Sequence, residues 1–221
     1  MSDSAQAPLA ELRWDYAAGT LRRADLAADP LSQFRAWFEQ AVSAGIREPN
    51  AMTLCTVGLD GGPTARIVLM KDCTAEGLRF FTNYESRKGR ELAANPRAAL
   101  LFFWKEHERQ AHYRGTVSRL GPDESDAYFR SRPYESRIGA WASLQSKEIP
   151  GRGWLEARVA EFEAKYPDTG EADCVPRPPH WGGYLLEPET VEFWQGQPGR
   201  KHDRFVYRRE GGGWQVARHS P

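Results

Sequence analysis

The apolar and polar positions of this chain follow two periods in turn. Leu31, Phe34, Trp37, Phe38 and Val42 recur at helical spacing behind Asp29-Pro30, which reads as an N-cap and a first helical residue. A first helix is therefore predicted to run to about Ala44. Strand-like stretches follow at Met52–Val57 and Ala65–Met70, and Asp60-Gly61-Gly62-Pro63 between them makes a hairpin turn. Leu78–Thr82 predicts another strand, and a short helix starts at Ser86 and stops before Asn95-Pro96. Ala98–Trp104 and Gln110–Leu120 add two strands. Helices are predicted over Pro122–Arg130, around Ser136–Ala142 and over Trp154–Tyr166, with a loop at Asp168–Pro179. The tail returns to strands at Gly183–Leu186, Thr190–Trp194, Arg204–Tyr207 and Trp214–Val216. Antiparallel strands joined by short turns, with helices set aside from them, predict an α+β fold around a small β-barrel. Residues 1–20 are polar and Ala-rich and are expected to be mobile when free, leaving 21–221 as a single domain.

Composition narrows the function classes. Lys and Arg together number 30, as do Asp and Glu, so a formal charge of zero argues against a general nucleic-acid or membrane-surface binder. Cys55, Cys73 and Cys174 are far apart, odd in number and without CxxC or Cys/His spacing, which points to unpaired thiols and to no metal site. Nothing approaches a transmembrane span, and Met1–Ala10 lacks the apolar core of a secretory signal, so a cytoplasmic protein is expected.

What recurs is a set of cations suited to phosphate. Arg66 and Lys71 bracket the apolar run Ile67-Val68-Leu69-Met70, read as a buried strand with its polar handles at the ends and on opposite faces. Arg87 and Lys88 follow Ser86 at a helix start, where two cations are unfavourable unless an anion meets the free N–H groups; a solvated charged turn is the plainer alternative. Tyr128, Arg132 and Ser136 are spaced by four, although Pro133 interrupts the helical path. Arg200, His202 and Arg204 share one face if that segment is an extended strand, with Lys201 and Asp203 opposite. Such a face calls for an anion or an aromatic ring, or else is an edge strand with interspersed charge.

The ordered series RIVLMK, FFTNYESRKGRELAANPRAALLFFW, ERQ, YFRSRPYESRIGAWASLQS and FWQGQPGRKHDRF, running through nearly the whole chain, closely resembles pyridoxine (pyridoxamine) 5′-phosphate oxidases. The resemblance implies a split β-barrel that forms a homodimer with FMN at the subunit interface. It implies an FMN phosphate clamp of Arg66, Arg87 and Lys88 helped by Thr82 and Ser146. The flavin would be lined by Ile67, Val68, Leu69, Met70, Lys71, Phe81, Gln110 and Gln145, with Trp194 and Arg204 reaching it from the other subunit. The substrate phosphate would rest on Lys71, Tyr128, Arg132 and Ser136, with Arg200 and His202 facing the pyridine ring and its oxidised carbon. Arg13 and Tyr16 resemble the family's N-terminal segment that folds over the substrate. The implied chemistry is hydride transfer from C4′ of pyridoxamine 5′-phosphate or pyridoxine 5′-phosphate to the flavin, then reoxidation by dioxygen with release of hydrogen peroxide. Two other functions compete: a related oxidase acting on another ring, such as a phenazine precursor, and a flavin-binding module without turnover. The polar run Ala111–Arg114 and the acidic 168–179 loop depart from the family pattern.

Overall fold

A computed structural model describes residues 14–221; Arg13 lies outside the described residues. The chain gathers into two compact units, one holding the residues up to Pro49 with Phe103–Ala111 and Val191–Pro221, the other Asn50–Phe102 and His112–Thr190.

In the first unit, helix α1 (Pro30–Ser43) starts as its sequence predicts: the Asp29 carboxylate accepts the Ser32 N–H at 2.9 Å. Its buried stripe is Gln33, Phe34, Trp37 and Ala41, and Val42 lies outside it, 52% exposed. Gln33 is buried, and its Oε1 accepts the Ala27 N–H at 3.0 Å. The core of this unit is aromatic, with Trp37 edge-on to Phe193 at 5.1 Å and Phe193 to Tyr207 at 5.7 Å. Strands β8 (Asp203–Glu210) and β9 (Gly213–His219) form an antiparallel hairpin.

The second unit is a curled antiparallel sheet. Strands β1 (Ala51–Val57) and β2 (Pro63–Leu69) pair through the predicted hairpin, with Thr56 opposite Thr64. Gly61 takes φ +82° in the turn. Strands β3 (Asp72–Cys73) and β4 (Leu78–Asn83) pair antiparallel, and β5 (Arg97–Trp104), β6 (Arg109–Arg119) and β7 (Trp181–Gln195) complete the sheet in the order β2-β1-β5-β6-β7-β4-β3. The last of these continues into the first unit and there pairs with β8. Helices α2 (Arg87–Ala94), α3 (Pro122–Arg130), α4 (Tyr134–Ala142) and α5 (Arg152–Lys165) flank the sheet, and a core of Phe129, Ile138, Ala142, Phe162 and Trp181 joins the last three to it. The fold class read from the sequence is the one observed. No helix among the described residues is long and apolar enough to cross a membrane.

Three readings are corrected. The tail's first two predicted strands are one, β7, running through Glu187-Pro188. Gly115 makes this possible: a Cβ there would collide with the Glu187 carbonyl, so the backbones approach only across a glycine. Second, β2 is not a buried strand. It sits at the end of the sheet order, and Ile67 is 65% exposed. Third, Arg200, His202 and Arg204 do not share an extended strand. Pro198–Arg200 forms a 3₁₀ turn in which Gly199 and Arg200 have φ of +63° and +60°, and β8 begins only at Asp203.

Candidate active site

In the second unit the sequence places a carboxylate where the cation pattern alone does not show one. Glu91 lies one turn after Arg87 on α2, and its side chain is 1% exposed. It accepts hydrogen bonds from Arg66 Nη2 at 2.8 Å, Arg87 Nε at 2.9 Å, Thr56 Oγ at 2.6 Å and Thr64 Oγ at 2.8 Å. Burial opposes its charge, yet the bonds from Thr56, Thr64, Arg87 and Arg66 outweigh burial and hold the carboxyl down to about 2. Glu91 thereby holds both Arg side chains in place.

The Lys88 ammonium donates to Thr82 Oγ at 3.3 Å, Ser86 Oγ at 3.4 Å and Gln145 Oε1 at 3.2 Å. Burial first, and the neighbouring Arg66 charge second, push its pKa down. Ser86 caps α2 by accepting the Gly89 N–H at 3.3 Å. A cavity of about 470 Å³ is lined by Thr64, Arg66, Arg87, Lys88 and Ser146. Four of the five residues predicted for the first phosphate clamp meet there, and the fifth, Thr82, is hydrogen-bonded to Lys88.

A neighbouring cleft of about 640 Å³ also has Lys88 in its wall. Ile67, Val68, Leu69, Phe81, Thr82 and Gln145 line it, as do Lys71, Tyr128, Arg132 and Ser136. The last three share the cleft although α3 ends at Arg130 and α4 begins at Tyr134. Pro133 does break the helix, and the break turns the residues after it back toward the same space. Arg132 lies over the Trp181 ring at 4.7 Å, and its Nη1 is buried with no protein partner. Burial pushes its pKa down, against the pull of Tyr128. A buried donor of a charged group that meets no acceptor is costly unless a ligand satisfies it. Phe81 stacks on Tyr128 at 4.0 Å, firming that wall. Met70 is buried, its N–H on the Asn50 carbonyl, and is absent from the cleft lining.

The remaining predicted residues belong to the first unit. Trp194 and His202 pack at 4.7 Å, and Tyr16 stands edge-on to both, at 5.6 and 5.3 Å. His202 Nδ1 accepts the Gln197 N–H at 3.1 Å, so the neutral ring carries its proton on Nε2. Arg200 is exposed on its turn. Arg204 forms a two-bond pair with Glu192, at 2.8 and 3.1 Å, which raises its pKa. Asp203 accepts from Arg218 at 2.6 Å and from the Leu21 N–H at 3.1 Å. Gln110 is half-buried in β6. Sequence reasoning missed Glu91, Glu108 and Glu192. Only Glu91 left a trace, its i,i+4 spacing from Arg87.

A sequence profile described as pyridoxamine 5′-phosphate oxidase matches residues 38–166, and one described as the pyridoxine 5′-phosphate oxidase C-terminal dimerisation region matches 181–221. The chain is 56% identical over 214 residues to a pyridoxine/pyridoxamine 5′-phosphate oxidase of Cupriavidus necator, covering 96% of this chain and 99% of the relative. An enzyme of the same name from Thermosynechococcus vestitus is 55% identical over 213 residues, covering 96% of this chain and 99% of the relative. Among solved structures, PhzG of Burkholderia lata, in complex with tetrahydrophenazine-1-carboxylic acid, superposes with a TM-score of 0.82 at 33% identity, covering 90% of this chain and 95% of that one. A pyridoxamine 5′-phosphate oxidase-related, FMN-binding protein of Nostoc punctiforme shares the fold, with a TM-score of 0.68 at 18% identity and coverage of 89% and 100%. The curled sheet, the two cation-lined cavities and these matches agree: the chain belongs to the pyridoxamine 5′-phosphate oxidase family of oxidoreductases.

Proposed function

We propose that this enzyme oxidises pyridoxine 5′-phosphate directly to the aldehyde pyridoxal 5′-phosphate, and pyridoxamine 5′-phosphate to an imine that water hydrolyses to the same aldehyde with release of ammonia, with bound FMN and dioxygen as acceptors, as a cytoplasmic homodimer. In this reading residues 21–221 act as one oxidase domain. The observation that carries it is the pair of cation-lined cavities sharing Lys88, one of them walled by the unpartnered Arg132 Nη1. Two phosphate esters need two such places. The donor set fits FMN: Arg66, Arg87, Lys88 and Ser146 surround one cavity with charge and hydroxyl donors, and no dinucleotide fingerprint is present. Bound FMN would supply the hydride acceptor and, through dioxygen, the route by which two electrons leave as hydrogen peroxide. The chain itself supplies alignment. Lys71, Tyr128, Arg132 and Ser136 hold the substrate phosphate, far from the reacting carbon. Arg200 and His202 orient C4′, and His202 presents Nε2 to it. Tyr16 covers the substrate and excludes water.

A peroxide assay with pyridoxamine 5′-phosphate tests this directly; no peroxide from flavin-loaded protein overturns it. The superposition on PhzG favours a second substrate, a phenazine precursor, and the same assay with such a compound discriminates. The cationic cleft at Lys71 and Arg132 supports the phosphorylated substrate instead.

Two further outcomes are expected. Acid treatment releases FMN and not FAD, and Arg87→Ala raises its dissociation constant roughly tenfold to a hundredfold, one charge-assisted contact being worth about 1.5–3 kcal/mol. Flavin fluorescence on titration measures it. Trp194 and Arg204 are assigned to the flavin held by the partner. Mixing Lys88→Ala with Arg204→Ala chains therefore restores activity, because each mixed dimer keeps one site with both residues intact. Absence of rescue assigns both residues to one protomer.

A further inference from the structure

Glu108 is buried at the end of the tight turn before β6, where it takes the left-handed backbone conformation, φ 53° and ψ 41°. A non-glycine residue held there bears a cost that its surroundings must repay. Its carboxylate accepts the Trp14 indole N–H at 3.0 Å on one oxygen and the backbone N–H groups of Ala17 and Ala18, both at 2.8 Å, on the other. Its carbonyl accepts the Gly196 N–H at 2.8 Å, two residues beyond Trp194. Gly196 has no room for a side chain: a Cβ would stand 2.6 Å from the Tyr16 ring and 3.0 Å from Glu108 Cβ. Tyr16 is thus clamped between residues that Glu108 ties down on either side, edge-on to His202 and Trp194.

We propose that Glu108 is a positioning residue, the latch that holds the 14–18 segment closed and so sets Tyr16 against His202. It rests on the reading that His202 faces the substrate. The carboxylate touches no reacting atom in that reading; it acts through Tyr16. Three donors converging on one side chain make the closed segment depend on this single residue.

The test uses the full chain loaded with FMN. Hydrogen exchange, read by mass spectrometry on peptides containing Ala17 and Ala18, is expected to accelerate at least tenfold in Glu108→Ala, with no change in peptides from α1. Glu108→Gln retains one acceptor oxygen and the side-chain volume, so it should fall between, and it serves alone if Glu108→Ala does not fold. With pyridoxamine 5′-phosphate, Glu108→Ala should raise KM about tenfold and change kcat less. Adding Tyr16→Ala to Glu108→Ala should bring little further loss if the two act as a unit. Unchanged exchange at residues 17 and 18 overturns the latch. Faster exchange with unaltered KM overturns the positioning role, as do fully additive losses in the double variant. If wild-type protein does not oxidise pyridoxamine 5′-phosphate, the functional reading fails, while the exchange result still decides the latch.

Discussion

Pyridoxine lacking its phosphate is expected to react with a kcat/KM several orders of magnitude below that of pyridoxine 5′-phosphate. The cleft that would take the phosphate is lined by Lys71, Tyr128, Arg132 and Ser136. Each charge-assisted bond to the ester is worth about 1.5–3 kcal/mol, so losing two or three together removes most of the binding energy available to place C4′. Arg132→Ala isolates one contact. It should cost roughly tenfold to a hundredfold in kcat/KM, mostly in KM, because the phosphate is as far from the chemistry in the transition state as in the ground state. Arg200→Ala and His202→Ala should instead lower kcat, and FMN content should survive all three changes. Steady-state peroxide release with both alcohols decides the matter. Equal rates for pyridoxine and its phosphate would remove the second phosphate pocket and advance the phenazine-type substrate.

Glu91→Ala should be the most damaging single change to stability. It strips a carboxylate from Arg66, whose side chain is 19% exposed, and from two threonine hydroxyls. Breaking a buried pair in this way costs about 3–5 kcal/mol. Flavin should be lost as well, since Arg66 and Arg87 then lack the group that fixes them. The pH dependence follows from the depressed carboxyl. Its stabilisation is fully present above its ordinary pKa of 4.5 and is lost as pH falls toward about 2. The stability gap between wild type and Glu91→Gln, measured by urea melts, should therefore be widest at neutral pH and narrow in acid. A gap independent of pH would mean that Glu91 is not the group titrating.

Much of this arrangement is legible in the sequence because it is local. Asp29-Pro30 starts α1, Ser86 caps α2, and Asp60–Pro63 turns the hairpin, each by contacts within a few residues. What escaped is non-local. Pro188 reads as a strand breaker until Gly115 is seen to yield space beneath it. The Arg200–Arg204 segment reads as extended because positive φ at Arg200 has no sequence signature outside glycine and asparagine. Glu91 gains its importance from a register: Thr56 faces Thr64 across β1 and β2, and both hydroxyls reach a helix 27 and more residues away. The site residues assembled in the second unit were legible through the family resemblance, since no single cluster was distinctive alone.

The cluster around Glu91 also has a charge tally. Arg66, Arg87 and Lys88 set against one carboxylate leave an excess of two positive charges beside the smaller cavity. A terminal phosphate monoester carries about −1.5 to −2 near pH 7, so one bound here would bring this corner of the protein close to neutrality. A simple phosphodiester, with a single negative charge, would leave part of the excess uncompensated. Such a wall would favour a dianionic monoester over a monoanionic diester by charge number, before any contact with the rest of the molecule is made.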